Sequence, residues 1–182
     1  MTLNLPNFLA LVRILIAPLM FWIILNRNCF IFDGIHPTWL DFLAAFLFVM
    51  ASVTDFFDGY IARSWNQKTT LGEILDPLAD KMLILAAFLG LMIIERASPW
   101  AVFLILTREF FITGLRVAIA SSGKNVSASM SGKVKTIFQM IAIGFLIMNW
   151  PFATLLLWFA VFLTLYSGFE YIIGYTKIKG SR

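Results

Sequence analysis

Apolar residues run through this chain in six long stretches separated by short polar segments. They lie near Phe8–Leu25, Leu40–Phe57, Pro77–Ile94, Trp100–Ala120, Val134–Met148 and Phe152–Tyr175. An α-helix needs about 20 mostly apolar residues to cross the hydrocarbon core of a bilayer. The fifth stretch is short and is read as starting earlier, near Ser131. The fourth carries Arg108, Glu109 and Arg116. The pattern predicts an all-α integral membrane protein with six transmembrane helices, a single bundle domain over 1–182. Asp76 followed by Pro77 reads as the start of the third helix, with the aspartate as N-cap and proline at the first position.

Composition strengthens this picture. The chain is 60% hydrophobic and 13% charged, against about 45–50% and about 25% in soluble domains. A water-soluble enzyme, a disordered protein and a nucleic-acid binder are excluded on that ground. The net charge of +4 suits anionic lipid or phosphorylated substrates. The single cysteine, Cys29, rules out an internal disulfide. The first stretch does not read as a cleaved signal: no cationic run precedes it, and Arg13 and Pro18 interrupt it.

Lys and Arg are unevenly distributed between the two sets of loops. One set, with both termini, holds Arg63, Lys68, Lys124, Lys133, Lys135, Lys177, Lys179 and Arg182; the other holds Arg27 and Arg96. The positive-inside rule places the first set, and both termini, in the cytoplasm. Trp39, Trp100 and Trp150 then belong to the outer interface, where Asp33, Asp41 and Glu95 read as loop or interface acids.

Half of the ten acids, Asp55, Asp58, Glu73, Asp76 and Asp80, fall between the end of the second stretch and the start of the third. Asp55 and Asp58 are three apart, and Asp76 and Asp80 four apart, so each pair shares a helix face. A charge within a membrane helix costs at least ~2.5 kcal/mol near the centre, and less toward the interface. Four carboxylates in one cleft call for cations, and Arg63 and Lys81 are too few. Divalent metal is the economical counter-charge, and an all-oxygen donor set selects Mg²⁺, Mn²⁺ or Ca²⁺ over Zn²⁺. Caps and helix-end acids would explain any one of these aspartates but not four at these spacings. Gly59 and Gly72 would let a ligand approach the backbone, and the Arg63 guanidinium matches phosphate oxygens.

At these residues the sequence resembles the CDP-alcohol phosphotransferases, whose signature is D-x2-D-G-x2-A-R-x8-G-x3-D-x3-D. Asp55, Asp58, Gly59, Ala62, Arg63, Gly72, Asp76 and Asp80 match it without gap or substitution. The resemblance implies transfer of a phosphoalcohol group from a CDP-linked donor to an alcohol, with release of CMP. It implies that Asp55, Asp58, Asp76 and Asp80 hold two divalent ions, Mg²⁺ or Mn²⁺, and that Asp80 is the general base. Asp58, Gly59, Ala62, Arg63 and Gly72 would form the CDP site. It further implies a homodimer opening to the cytoplasm and the bilayer.

The acceptor must be read elsewhere. Arg108 and Arg116 lie about 12 Å apart along one helix, and Lys133 and Lys135 begin the next. Arginines inside a membrane helix usually face a polar cavity. These four cations suit a phosphate on the acceptor, although the lysines also fit as cytoplasmic anchors and Arg108 as a partner only of Glu109 or the aspartates. The flanking segments sharpen the resemblance. Asn4, Pro6 and Asn7 leading to Arg13, Trp65-Asn66-Gln67, and Gly132-Lys133 with Lys135, Thr136 and Gln139 are similar to the branch of the family that makes phosphatidylglycerophosphate. That branch joins CDP-diacylglycerol to sn-glycerol 3-phosphate in the bacterial inner membrane. Inositol phosphate or serine is the alternative acceptor. A divalent-ion or proton-coupled transporter is the remote alternative, disfavoured because the acids cluster at one end of the spans. Arg13 has two readings: it reaches the cleft, or it snorkels to the interface.

Overall fold

A computed structural model describes residues 5–29, 36–64, 70–121 and 130–180; at 5–6, 55–64, 70–77, 120–121, 175 and 177–180 it describes the backbone alone. The elements are α1 (Leu5–Leu25), α2 (Pro37–Ser64), α3 (Thr70–Ile93), α4 (Pro99–Ser121), α5 (Met130–Ile147) and α6 (Ala153–Gly180). All six expected helices are present. Among the described residues, four segments are long and apolar enough to cross a membrane: Asn7–Leu25, Pro37–Thr54, Met130–Ile147 and Ala153–Gly174. α3 and α4 are of similar length but more polar, carrying Asp80 and Lys81 in one and Arg108, Glu109 and Arg116 in the other.

The ends of α2 and α3 differ from the sequence reading. α3 does not begin at Asp76–Pro77; it begins at Thr70, and Pro77 lies inside it. A proline within a helix forfeits one backbone hydrogen bond. Uncoiling the whole segment at the edge of a membrane would leave several backbone groups without partners, each costing several kcal/mol. The helix therefore runs through the proline. α2 likewise continues beyond Phe57 to Ser64.

The chain divides into two compact units. The first is Met1–Arg96 with Leu146–Trp150, and the second is Ala97–Phe145 with Pro151–Arg182. In the first unit α1 packs along α3 and α2, and α2 also touches α3. The buried faces have helical spacing: Ala10, Arg13, Ala17, Met20 and Ile24 on α1; Asp41, Ala44, Phe48 and Ala51 on α2; Ala79, Leu83, Ala87, Phe88 and Leu91 on α3. Small residues recur on all three faces, as expected where lipid supplies no hydrophobic drive and close backbone approach must hold helices together. At Gly90 the approach is closest: a Cβ there would lie 3.1 Å from Ile24 Cγ2. Gly90→Leu should lower the melting temperature in detergent, by an overpacking cost of about 1–3 kcal/mol. Gly114→Leu, where a Cβ meets nothing within 4 Å, should leave it nearly unchanged.

One end of this unit is clamped by charge. Asp41 Oδ2 accepts from Arg96 Nη2 at 2.9 Å and pairs with Arg27 Nη2 at 3.2 Å. Arg96 also donates to the carbonyl of Ile147, one of the orphan carbonyls at the end of α5. Burial, and then the Arg96 charge, lower the Arg27 pKa from its ordinary value, while Asp41 raises it. Asp41 is thus buried and doubly paired, not the loop or interface acid that its position suggests. α3 closes with a Schellman pair, Arg96 N–H to Leu91 O at 2.8 Å and Glu95 N–H to Met92 O at 3.1 Å. Glu95 takes φ 60° there, a place glycine usually fills, and this turn carries Arg96 back toward Asp41. The end of α1, the start of α2 and the end of α3 therefore meet. The end of α2 and the start of α3, separated in the chain by residues 65–69, carry the aspartate motif.

In the second unit α4 packs on α6. α5 meets α6 through Phe138 and Phe159, whose rings lie edge-to-face with centroids 4.9 Å apart.

Candidate functional site

The aspartate motif is built on regular backbone. α2 is helical through 55–64 and α3 through 70–80. At about 100° per residue, positions 55 and 58 lie about 60° apart around the α2 axis, and positions 76 and 80 about 40° apart around that of α3. Both helices belong to the first unit, where they touch. The side chains of Asp55, Asp58, Gly59, Ala62, Arg63, Gly72 and Asp76 lie outside the described residues. Asp80 is half-buried on α3. Among the described residues, which include only this one of the four carboxylates, no three His, Cys, Asp or Glu side chains gather. The donor chemistry, four carboxylates in one-turn pairs, fits a hard divalent cation.

The four expected phosphate-binding cations all belong to the second unit, and two of them meet. Arg108 Nη1 lies 3.3 Å from Glu109 Oε1, and Lys135 Nζ pairs with the same oxygen. Their side chains are 10% and 7% exposed, and that of Glu109 14%. One carboxylate thus bridges two cations from different helices. Arg108 Nη2 donates to Ser167 Oγ of α6 at 2.8 Å. Ser167 Oγ in turn donates to Thr164 O at 3.2 Å, and Gln139 Nε2 donates to Thr164 Oγ1 at 2.8 Å. Gln139, Thr164 and Ser167 are fully buried.

The other two cations are placed differently. Arg116 is exposed, with its guanidinium 5.2 Å from the centroid of the Tyr171 ring. That is cation–π distance. Lys133 is exposed at the start of α5. Arg13 is fully buried in the first unit, so its charge does not snorkel to an interface.

Sequence reasoning passed over Ser167, Gly168 and Thr164. A signal was present: in the apolar run of α6, Thr164, Ser167 and Gly168 form a small and polar patch at i, i+3 and i+4. Glu109 was seen only as a partner of Arg108, since nothing local ties it to Lys135, 26 residues away.

A family model described as CDP-alcohol phosphatidyltransferase matches residues 3–166. A Bacillus subtilis (strain 168) protein is 42% identical over 180 residues, covering 92% of this chain and 93% of that protein. An Escherichia coli (strain K12) protein is 38% identical over 183 residues, covering 94% of each. A Rickettsia felis protein is 37% identical over 177 residues, covering 92% of this chain and 93% of its own. All three bear the name CDP-diacylglycerol–glycerol-3-phosphate 3-phosphatidyltransferase. The eight motif positions, the all-helical fold and the near full-length similarity converge: the chain belongs to the CDP-alcohol phosphatidyltransferase family.

Proposed function

We propose that this protein transfers the phosphatidyl group of CDP-diacylglycerol to sn-glycerol 3-phosphate, yielding phosphatidylglycerophosphate and CMP. The activity named for relatives that match over 92–94% of the chain supports the reaction. The choice of acceptor is carried by one structural observation: Arg108 and Lys135, from two different helices, are gathered on the single carboxylate of Glu109. Cations are expensive inside membrane helices. Holding two of them inside a helical unit makes sense where a dianionic phosphate must be received. Serine needs no such site.

Asp55, Asp58, Asp76 and Asp80 would hold two divalent ions of the Mg²⁺ or Mn²⁺ class. Such ions, when bound, neutralise charge on the pyrophosphate and ease departure of CMP. The remaining work falls to side chains. Arg63, beside Gly59 and Ala62, is suited to hold the donor phosphates, with Gly72 leaving the backbone open to the nucleotide. Arg108 and Lys135 hold the acceptor phosphate, with Arg116 and Lys133 adding positive charge. Asp80 takes the hydroxyl proton as the oxygen attacks, which is general-base catalysis by a carboxylate. The bond to the CMP oxygen breaks, and the phosphatidyl group passes to glycerol phosphate.

The same reading takes all six helices as spanning, as one catalytic domain, with α3 and α4 shielding their charges within a homodimeric protein. The lysine and arginine bias puts both termini and the aspartate end of α2 and α3 in the cytoplasm, at the inner membrane of a bacterium. The donor's acyl chains then stay in lipid while its head group enters the polar end.

Acceptor competition tests the assignment. Purified protein in mixed micelles with CDP-diacylglycerol and Mg²⁺ should convert glycerol 3-phosphate into a lipid phosphate. Inositol 1-phosphate and serine should react at least about tenfold more slowly, since each charge-assisted hydrogen bond misplaced costs about 1.5–3 kcal/mol. A phosphatidyl product formed with either of them and not with glycerol 3-phosphate would overturn the acceptor while leaving the family intact.

A further inference from the structure

We propose that Ser167 and Gly168 of α6 are positioning residues for the acceptor phosphate, acting through Arg108. The inference rests on the reading of Arg108 as a phosphate ligand. A guanidinium at the end of a flexible stem recognises phosphate well only when its planar fork is held in one orientation. Two features of α6 hold it. Ser167 Oγ accepts from Arg108 Nη2 at 2.8 Å, while Glu109 engages Nη1. The two terminal nitrogens are therefore tied to different helices, and the plane of the fork is set. Beside Ser167, Gly168 leaves room for the stem: a Cβ at this position would lie 3.1 Å from Arg108 Nε and 3.2 Å from its Cγ. Any side chain at 168 would push the arginine off its path.

Ser167 is itself held. Its hydroxyl hydrogen goes to the carbonyl of Thr164, one turn earlier on α6, at 3.2 Å, so its lone pairs face Arg108. The Thr164 hydroxyl meets Gln139 of α5 at 2.8 Å, four residues after Lys135. The relay ties the two phosphate-binding cations to one rigid pair of helices. Nε of Arg108 is buried without a hydrogen-bond partner. The arginine is thus anchored at Nη1 and Nη2, and each of these nitrogens carries a second N–H beyond the one given to Glu109 or Ser167.

The test is steady-state kinetics of the full-length protein with both substrates varied. Ser167→Ala should raise the KM for glycerol 3-phosphate about five- to tenfold, with the KM for CDP-diacylglycerol unchanged, as expected for loss of one hydrogen bond to a charged group. Gly168→Ala keeps every hydrogen-bonding group and should give the same selective rise by displacing the stem. In an Arg108→Ala background neither substitution should change the acceptor KM further, because residues acting through one partner are not additive. Equal effects with and without Arg108, or a rise in both substrates' KM values, would mean a merely structural role and overturn the inference. Unchanged kinetics in both single variants, with Arg108→Ala still raising the acceptor KM, would also overturn it. If Arg108→Ala itself left the acceptor KM unchanged, the failure would lie in the underlying assignment of Arg108.

Discussion

Asp80→Asn is expected to lower kcat by about 10²–10⁴-fold, the range that a positioned general base contributes, while CDP-diacylglycerol still binds. The substitution keeps the size of the side chain and one oxygen donor but removes the basic oxygen that would take the proton. Asp80 stands four residues after Asp76 on α3 and is half-buried, so its carboxylate is open enough to reach a substrate. Asp55→Asn or Asp76→Asn, by contrast, should be partly rescued by raising the Mg²⁺ concentration, because their role is charge on the metal. Rates of CMP release across a Mg²⁺ titration separate the two behaviours. Wild-type rates in Asp80→Asn would remove it as the base.

Lys135→Ala should raise the KM for glycerol 3-phosphate about 10- to 100-fold, the equivalent of about 1.5–3 kcal/mol for a hydrogen bond between charged groups. The KM for CDP-diacylglycerol should move far less. Two effects point the same way. The phosphate loses a buried cation, whose side chain is only 7% exposed, and Glu109 loses one of its cationic partners, so the local charge becomes less positive by one. Arg108→Ala should act in the same direction for the same reason. Lys133→Ala provides the contrast: Lys133 is exposed, and a solvated surface charge contributes little, so its effect should stay within about threefold. A change confined to the donor KM would refute the phosphate assignment.

The parts of the fold and site legible in the sequence were those written in local spacing. Runs of about 20 apolar residues located all six helices. Helix ends were harder to read. Asp76 and Pro77 carry the signal of a helix start, yet the helix begins at Thr70 and passes through the proline, since a proline inside a helix forfeits only one backbone hydrogen bond. Pairing between helices was harder still. Arg108 meets Ser167 across 59 residues, and Arg96 meets Asp41 across 55. No periodicity encodes such distances. Asp41 therefore looked like an interface acid and proved to be the buried centre of a clamp. The burial of Arg13 also had no local signal: its position among Ala10, Ala17 and Met20 on one face of α1 emerges only once that face is known to pack on α2 and α3.

The most direct test of the central claim is CMP release by purified protein in detergent, with CDP-diacylglycerol as donor. Release should depend on glycerol 3-phosphate, stop when EDTA removes divalent metal, and return with excess Mg²⁺ or Mn²⁺. Release that persists in EDTA, or that proceeds at the same rate without any acceptor alcohol, would contradict metal-assisted phosphatidyl transfer to glycerol 3-phosphate.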